Sequence, residues 1–462
     1  MNIVPYFLGM YRRDFIRAAG IMAIGAPKIS TAAAKPHLIR VSKAAAQFER
    51  EPLVRPFGFK GNYLTELWQI ATRLTSASGN TATGLATQSV LYGDAELFAA
   101  HTEMKGNAMM FALVQKTLDI VKATAFTTPV DLQEKILPRV IAAGKEITGR
   151  AQLHYNFILN ALVSIDNAAW LLYAAENGYK TFNEMIPAPY RAALGYRNKQ
   201  IAVLFQVPYS MPVADVVKAV EQGYFIIKIK TGYPGSQEEM LAFDMQRLTE
   251  IHHALKDLPA SNTAHGRIWY TMDANGRYAE KDTLRKYLSH AKTIGAFDRI
   301  LLYEEPFRED LTEPVNDLGV RLGADESVHS EKDALQRISQ GYSVLVLKGI
   351  AKTLSLSMRI AKLAEERKIP CLCADLTVNP VLIDWHKNLA ARLAPFPGIG
   401  MGLMETNGDM NYKNWAAMKS YHPAAGAPWM EVQQGVFDLG PDFYARSGGI
   451  LEEVKHYDDL FR

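Results

Sequence analysis

At 462 residues the chain is too long for one ordinary domain and suits a barrel joined to a second unit. Its 48% hydrophobic and 21% charged residues are those of a soluble globular protein with a sizeable core. The formal charge of +3 is carried by Met1–Ala34, where Arg12, Arg13, Arg17 and Lys28 face Asp14; the balanced remainder offers no polycationic face, which excludes nucleic acid as a partner.

Residues 1–34 read as a processing segment. Arg12-Arg13-Asp14-Phe15-Ile16 precedes the apolar AAGIMAIGAP and small residues through Ala34, the layout of a twin-arginine export signal. The apolar stretch is shorter than the roughly 20 residues of a spanning helix, so no membrane span is expected. The protein is therefore expected in the periplasm or at the cell surface, exported folded and metal-loaded. A disordered basic tail and an uncleaved anchor are the alternatives.

Residues 35–198 show no strand–helix alternation and read as a separate α+β domain. The segment HLIRVSKAAAQFERE resembles a strand, and VRPFGFKGNY reads as an aromatic, glycine-containing loop. Helical patterns follow, notably across Ala151–Asn177, which Gly178 is placed to end.

Residues 199–425 alternate. Short strands are expected at Ile201–Val207, Phe225–Lys230, Ile268–Asp273, Ile300–Glu304, Arg321–Asp325, Val344–Lys348, Pro370–Asp375 and Ile399–Glu405. Helical stretches lie between them, among them Val213–Gln222, Glu238–Leu255, Glu280–Ile294, Lys332–Gln340, Leu354–Arg367 and Pro380–Leu393. Eight parallel strands with helices between them predict an α/β fold, a (β/α)₈ barrel. Residues 426–462 contain no further such unit and are expected to fold back onto the first domain. The two cysteines, Cys371 and Cys373, are two apart on a strand and share a face. They read as buried thiols, since a disulfide between them would be strained and zinc would want more ligands.

The chemistry sits where these strands give out. Lys228 and Lys230 end the second, Asp273 the third, Glu304 the fourth, Asp325 the fifth and Lys348 the sixth. The C-terminal ends of barrel strands form one face, so these groups converge there. Three carboxylates without a histidine or thiolate favour Mg²⁺, or Mn²⁺, over zinc. A lysine ordinarily titrates near 10.4, and becomes a base when a second lysine or a metal ion disfavours its charged form. A small carboxylate held there would have its α-carbon between Lys230 and Lys348. Lys228 and the ion would stabilise the enediolate left when the α-proton departs. Two bases on opposite faces permit racemisation or epimerisation.

These motifs, namely Lys228-Ile229-Lys230, the acid of MDANG, Glu304-Glu305-Pro306, Ala324-Asp325-Glu326-Ser327 and Lys348, resemble the enolase superfamily, in its muconate-lactonizing-enzyme-like and dipeptide-epimerase-like subgroup. The resemblance extends to SIDNAAWLLYAAENG at Ser164–Gly178, similar to the last helix of that family's capping domain. It implies a modified barrel under an α+β capping domain, with Asp273, Glu304 and Asp325 as metal ligands and Lys230 and Lys348 as the acid/base pair. Glu326 and Asn275 would stand behind them, Glu326 holding a lysine of the Lys-Ile-Lys motif. Phe57 and Phe59 lie where the family's mobile loop closes over substrate. The chain departs from dipeptide epimerases at the eighth strand, where GMGLMETNG offers Glu405 in place of an Asp-x-Asp pair that holds the substrate ammonium. Asp375 could replace that partner or be a turn acid. A long helical insert, about Asn107–Lys145, is a second departure.

Gly398-Ile399-Gly400-Met401-Gly402 lacks dinucleotide spacing. His252-His253 lies in a helix away from the strand ends, and His386 is poorly placed to act as a base. The expected activity is an Mg²⁺-dependent racemase or epimerase acting on a small-molecule carboxylate, an amino-acid or dipeptide derivative. A cycloisomerase or dehydratase using the same enolate is the enzymatic alternative, and a non-catalytic exported binding protein the other. A homo-oligomer is expected.

Overall fold

The computed structural model describes residues 37–60, 62–260, 262–263 and 265–462. The export signal read in residues 1–34 lies outside them, as does the side chain of Phe59.

Three strands open the described chain: β1 (Val41–Phe59), β2 (Asn62–Ser76) and β3 (Thr81–Gln88), an antiparallel sheet in that order. The stretch expected as a loop, Val54–Tyr63, is instead mostly strand, the far end of the β1–β2 hairpin. Pro52 and Pro56 lack the N–H a ladder needs. Register slips between Pro52 and Phe57, and pairing resumes with Phe57 opposite Leu64. The hairpin thus carries a separately aimed tip.

The expected insert is two helices, Glu103–Lys122 and Pro129–Thr148. Between them Thr128 caps the second helix, whose first position Pro129 fills without wasting a donor. The helix Tyr155–Asn177 ends at Gly178 in the left-handed conformation, φ 69°. It is long and apolar enough to cross a membrane, yet 94% of its most apolar window is buried inside the protein, where it serves as a core helix. Sheet and helix meet at Gly84 of β3, where an added Cβ would lie 2.0 Å from the Ala168 nitrogen. Only glycine permits that contact.

The second layer is the barrel. β4 (Gln200–Val207), β5 (Ile226–Lys230), β6 (Trp269–Asp273), β7 (Ile300–Glu304), β8 (Leu322–Ala324), β9 (Val344–Leu347), β10 (Cys371–Cys373) and β11 (Gly402–Glu405) each pair in parallel with the next. β11 pairs with β4 and closes the ring. The architecture is α/β, a closed (β/α)₈ barrel with a β-sheet-containing cap. Several strands end earlier than expected, so Asp325, Lys348 and Asp375 lie just past them, where backbone pairing gives way to the rim. Between β7 and β8 the described helical structure is a single 3₁₀ turn, Asn316–Leu318. Cys371 and Cys373 are buried free thiols on β10.

The tail differs from expectation in where it lands first. Its hairpin, β12 (Val432–Gln433) and β13 (Val436–Asp438), joins the barrel sheet, with β13 antiparallel to β4. Its last turns reach the cap sheet, where His456 Nε2 lies 2.9 Å from Glu49 and Arg73 donates to the Asp458 carbonyl at 3.0 Å. Cap and barrel are also sewn together at Asp166 of the long helix. Its carboxylate accepts the Ser355 N–H at 3.1 Å and the Ser355 hydroxyl, while Trp170 Nε1 donates to Ser355 Oγ at 3.1 Å.

Candidate active site

Strand register places the site. Lys230 pairs with Asp273 and Asp273 with Glu304, so one row of side chains crosses the ends of β5, β6 and β7. One row deeper, Gln206 of β4 pairs with Lys228. Adjacent strands lie about 4.8 Å apart, close enough for long side chains in these rows to meet.

They do meet, around lysines. Lys228 Nζ donates to both Glu304 oxygens at 2.9 Å and to Glu405 Oε2 at 3.0 Å, and lies 3.1 Å from Asp273 Oδ2. Burial disfavours this ammonium, but Asp273, Glu304 and Glu405 outweigh it and hold Lys228 protonated. Lys230 Nζ donates to Asp273 Oδ2 at 2.6 Å and to Asn275 Oδ1 at 3.1 Å. Four strands further round, Lys348 pairs with Asp325 Oδ2, and its ammonium stands 4.9 Å over the Tyr92 ring. Burial is again outweighed there, chiefly by Asp325, so Lys348 is held protonated. Lys352, one helical turn on, lies 3.2 Å from Asp325 Oδ1.

The carboxylates differ. Burial would raise Asp273, but Lys228 and Lys230 hold it well below the usual range; Lys348 and Lys352 do the same for Asp325. Glu304 is pushed well up, first by burial and then by Asp273, Asp325 and Glu405, against the pull of Lys228. Glu305, at φ 35°, turns away from this row. Its Oε2 accepts the Asp325 N–H at 2.6 Å and the Ser327 hydroxyl at 3.1 Å, fixing the backbone that presents Asp325. Burial and then Glu326 push Glu305 up to about 8.

The remaining expected residues fall as follows. Glu326 reaches the Lys-Ile-Lys motif through an intermediary: its Oε1 accepts from Asn275 Nδ2 at 2.9 Å, and Asn275 in turn accepts from Lys230. Glu405 lines the cavity, but its oxygens are taken by Gln206 Nε2 at 2.7 Å and by Lys228. Asp375 lines it too, with Oδ1 capped by the Leu376 N–H and Oδ2 by the Asn407 N–H. Burial and the neighbouring Glu405 push Asp375 up to about 7. Phe57 and its strand partner Leu64 bring the hairpin tip over the cavity. Phe59 is in β1, and its side chain lies outside the described residues. His386 donates to or accepts nothing from the lysines; its Nε2 is on the Ala374 carbonyl at 2.9 Å, and burial pushes it down to about 3.

Sequence reading missed Gln206, Tyr92, Asn407 and Lys352. Gln206 and Lys352 obey the strand-end rule already in use, Gln206 near the end of the first barrel strand and Lys352 one turn past Lys348. Tyr92 sits in a short cap helix, Val90–Gly93, with no local pattern to announce it.

These groups enclose a small cavity of about 40 Å³ at the barrel mouth. Lys230 and Lys348 both line it and are each 6% exposed. The acids fit a divalent cation on chemical grounds. All donors are carboxylate oxygens, and burial with the neighbouring acids pushes Glu304 well up, a load that a further cation would relieve.

Residues 212–401 match the family model described as enolase C-terminal domain-like. Among curated proteins no sequence matches the chain. Solved structures do match in fold. A mandelate racemase/muconate lactonizing enzyme from Bordetella bronchiseptica RB50 superposes with a TM-score of 0.62 at 16% identity, over 92% of this chain and 100% of that one. A dipeptide epimerase from Cytophaga hutchinsonii, complexed with Mg and the dipeptide D-Ala-L-Val, gives 0.60 at 19% identity, over 87% and 93%. An N-succinyl Arg/Lys racemase from Bacillus cereus ATCC 14579 gives 0.57 at 13% identity, over 82% and 89%. At these identities the structures speak for the fold, and the family model for the barrel. With the strand-end lysines and acids in place on that barrel, residues 212–401 form an enolase C-terminal domain-like unit, and the described chain shares its fold with mandelate racemase/muconate lactonizing enzymes and dipeptide epimerases.

Proposed function

We propose that the protein is an Mg²⁺-dependent racemase or epimerase that moves the α-proton of a small carboxylate. The observation that carries this reading is the pair Lys230 and Lys348, which line one cavity from the second and sixth strands of an eight-stranded ring. Strands so placed stand on opposite walls. A substrate α-carbon between them can lose its proton to one ammonium-forming side and regain one from the other, which inverts the centre.

Asp273, Glu304 and Asp325 would hold the cation. Bound there, a divalent ion would polarise the substrate carboxylate and compete with the lysines for the same oxygens, lowering their hold on protons. Lys228 supplies a fixed positive charge beside the row. Asn275 orients Lys230, and the Tyr92 ring flanks Lys348 and keeps water from it. The substrate is an amino-acid or dipeptide derivative. Asp375 and Glu405 already have partners, whereas Asn407 Oδ1 is buried without one and lines the cavity, an acceptor suited to a substrate amide N–H.

Two measurements test this. Incubating N-acylamino acids and dipeptides in D₂O, followed by ¹H NMR, should show α-hydrogen loss with inversion; a full panel without exchange would sink the activity. Asp273→Asn, Glu304→Gln and Asp325→Asn should each weaken Mg²⁺ binding in calorimetric titration, because an all-oxygen site depends on ligand charge and number. Unchanged binding in all three would remove the metal assignment.

A further inference from the structure

Two histidines and a glutamate meet beside the barrel mouth, outside the lysine–carboxylate row. His154 caps the helix Tyr155–Asn177, Glu309 lies in the loop after β7, and His329 in the loop after β8. One ligand atom from each, two ring nitrogens and a carboxylate oxygen, all lie within 4.8 Å of one another. His154 Nε2 is 2.9 Å and His329 Nε2 3.8 Å from Glu309 Oε1. The two rings stand edge to face, centroids 5.1 Å apart.

The surroundings favour coordination. His329 Nε2 is buried and has no hydrogen-bond partner. Its Nδ1 faces the Asp333 carboxylate at 3.7 Å, and that carboxylate also accepts the His329 backbone N–H at 3.0 Å. At 3.7 Å the contact is longer than a hydrogen bond, but it sets a carboxylate beside Nδ1, the side from which metal-bound histidines are supported. Glu309 is steadied from behind, its carbonyl accepting from Arg337 Nη2 at 2.6 Å. Its side chain remains 40% exposed, so an ion can arrive from solution.

We propose that His154, Glu309 and His329 form a second metal site, for Zn²⁺ or a neighbouring transition ion, with water as the fourth ligand. Two imidazoles and one carboxylate suit such an ion, whereas Mg²⁺ prefers oxygen. In the metal-free protein His154 Nδ1 accepts the Asn156 N–H at 3.2 Å, so its proton is on Nε2 and is donated to Glu309. Binding moves that proton to Nδ1, gives up the long cap bond and turns the Nε2 lone pair to the ion. The bound ion would fasten the first turn of the long cap helix to the loops that follow the Glu304 and Asp325 strands.

The test is a calorimetric titration of chelator-stripped protein with Zn²⁺ in excess Mg²⁺, which keeps the strand-end acids occupied. One Zn²⁺ per chain is expected, and Co²⁺ in its place should give the strong visible absorption of a four-coordinate site. His154→Asn, Glu309→Gln and His329→Gln should each weaken Zn²⁺ by more than the about 10–100-fold that losing an outer partner costs, and Asp333→Asn by an amount within that range. Asparagine is itself a good helix cap, so His154→Asn removes the ligand and keeps the helix. Absence of Zn²⁺ binding by the wild type, or equal affinity in the three ligand variants, would overturn the proposal.

Discussion

The barrel rim and the seam between cap and barrel both bury carboxylates, and they treat them in opposite ways. At the rim Asp273 and Asp325 face ammonium groups and are held far below their ordinary range. At the seam Asp166 meets only neutral donors, Ser355 and Trp170, and burial pushes it up to about 7. At Asp166 the hydrogen bonds lower the carboxyl less than burial raises it, whereas the rim's ammonium groups outweigh burial. The rim therefore stores negative charge that a metal ion can claim, and the seam stores a proton that holds two layers together.

The largest effect should come from removing the rim's mobile protons. Lys230→Ala should abolish α-hydrogen exchange from one enantiomer and Lys348→Ala from the other, each by at least the about 10²–10⁴-fold that a general base contributes. Both variants should lose net inversion, read by ¹H NMR in D₂O with each enantiomer. Inversion that survives in either variant eliminates the two-base mechanism. Loss of inversion with both exchanges intact would instead favour the lyase alternative.

Next in size is the rim's fixed charge. Lys228→Met leaves Asp273, Glu304 and Glu405 without their common cation. Breaking a buried ion pair from one side costs about 3–5 kcal/mol, so the urea midpoint of metal-free protein should fall by a matching amount, and Mg²⁺ should restore part of it. An unchanged midpoint would show that the three acids simply take up protons, and would erase the contrast with the seam.

At the seam the effect is spread over pH, so it is small at any one step of a titration. Asp166 has a folded value of about 7 against an ordinary 3.8, so the folded chain binds its proton more tightly than the unfolded one. Its contribution to stability is fully present below about pH 4 and is lost as pH rises toward 7. The slope over that window is up to about 1.4 kcal/mol per pH unit. Asp166→Asn, which keeps the shape without the titration, should flatten the stability–pH curve by that one proton. An identical curve in the variant would place Asp166 among ordinary ionised carboxylates.

Most of the rim was legible because its rule is positional. A short β-branched strand ending in Lys228-Ile229-Lys230, or in Asp273 or Glu304, announces both the fold and where its charged groups gather, since parallel strands deliver their last side chains to one face. The rim's finer wiring was not legible. That Glu326 reaches Lys230 only through Asn275 depends on the turn after β6, where Asn275 takes φ 46°. The hairpin tip was misread because Pro52, Pro56 and Gly58 are turn-forming residues in composition, while the strands they interrupt are held by partners across the hairpin. The tail's landing on β4 rests on an antiparallel pairing more than 200 residues apart in sequence, for which no local pattern exists.

That reach of the tail bears on how the chain comes to be made. Arg73 of β2 finds its acceptor in Asp458, and Glu49 of β1 meets His456, 385 and 407 residues downstream. A ribosome delivers the cap sheet several hundred residues before these partners, so the cap cannot complete its contacts until they have emerged. Loop closure over such spans is slow, and transiently open edges invite wrong pairing. The first strands must therefore wait for part of their contacts until His456 and Asp458 have been made.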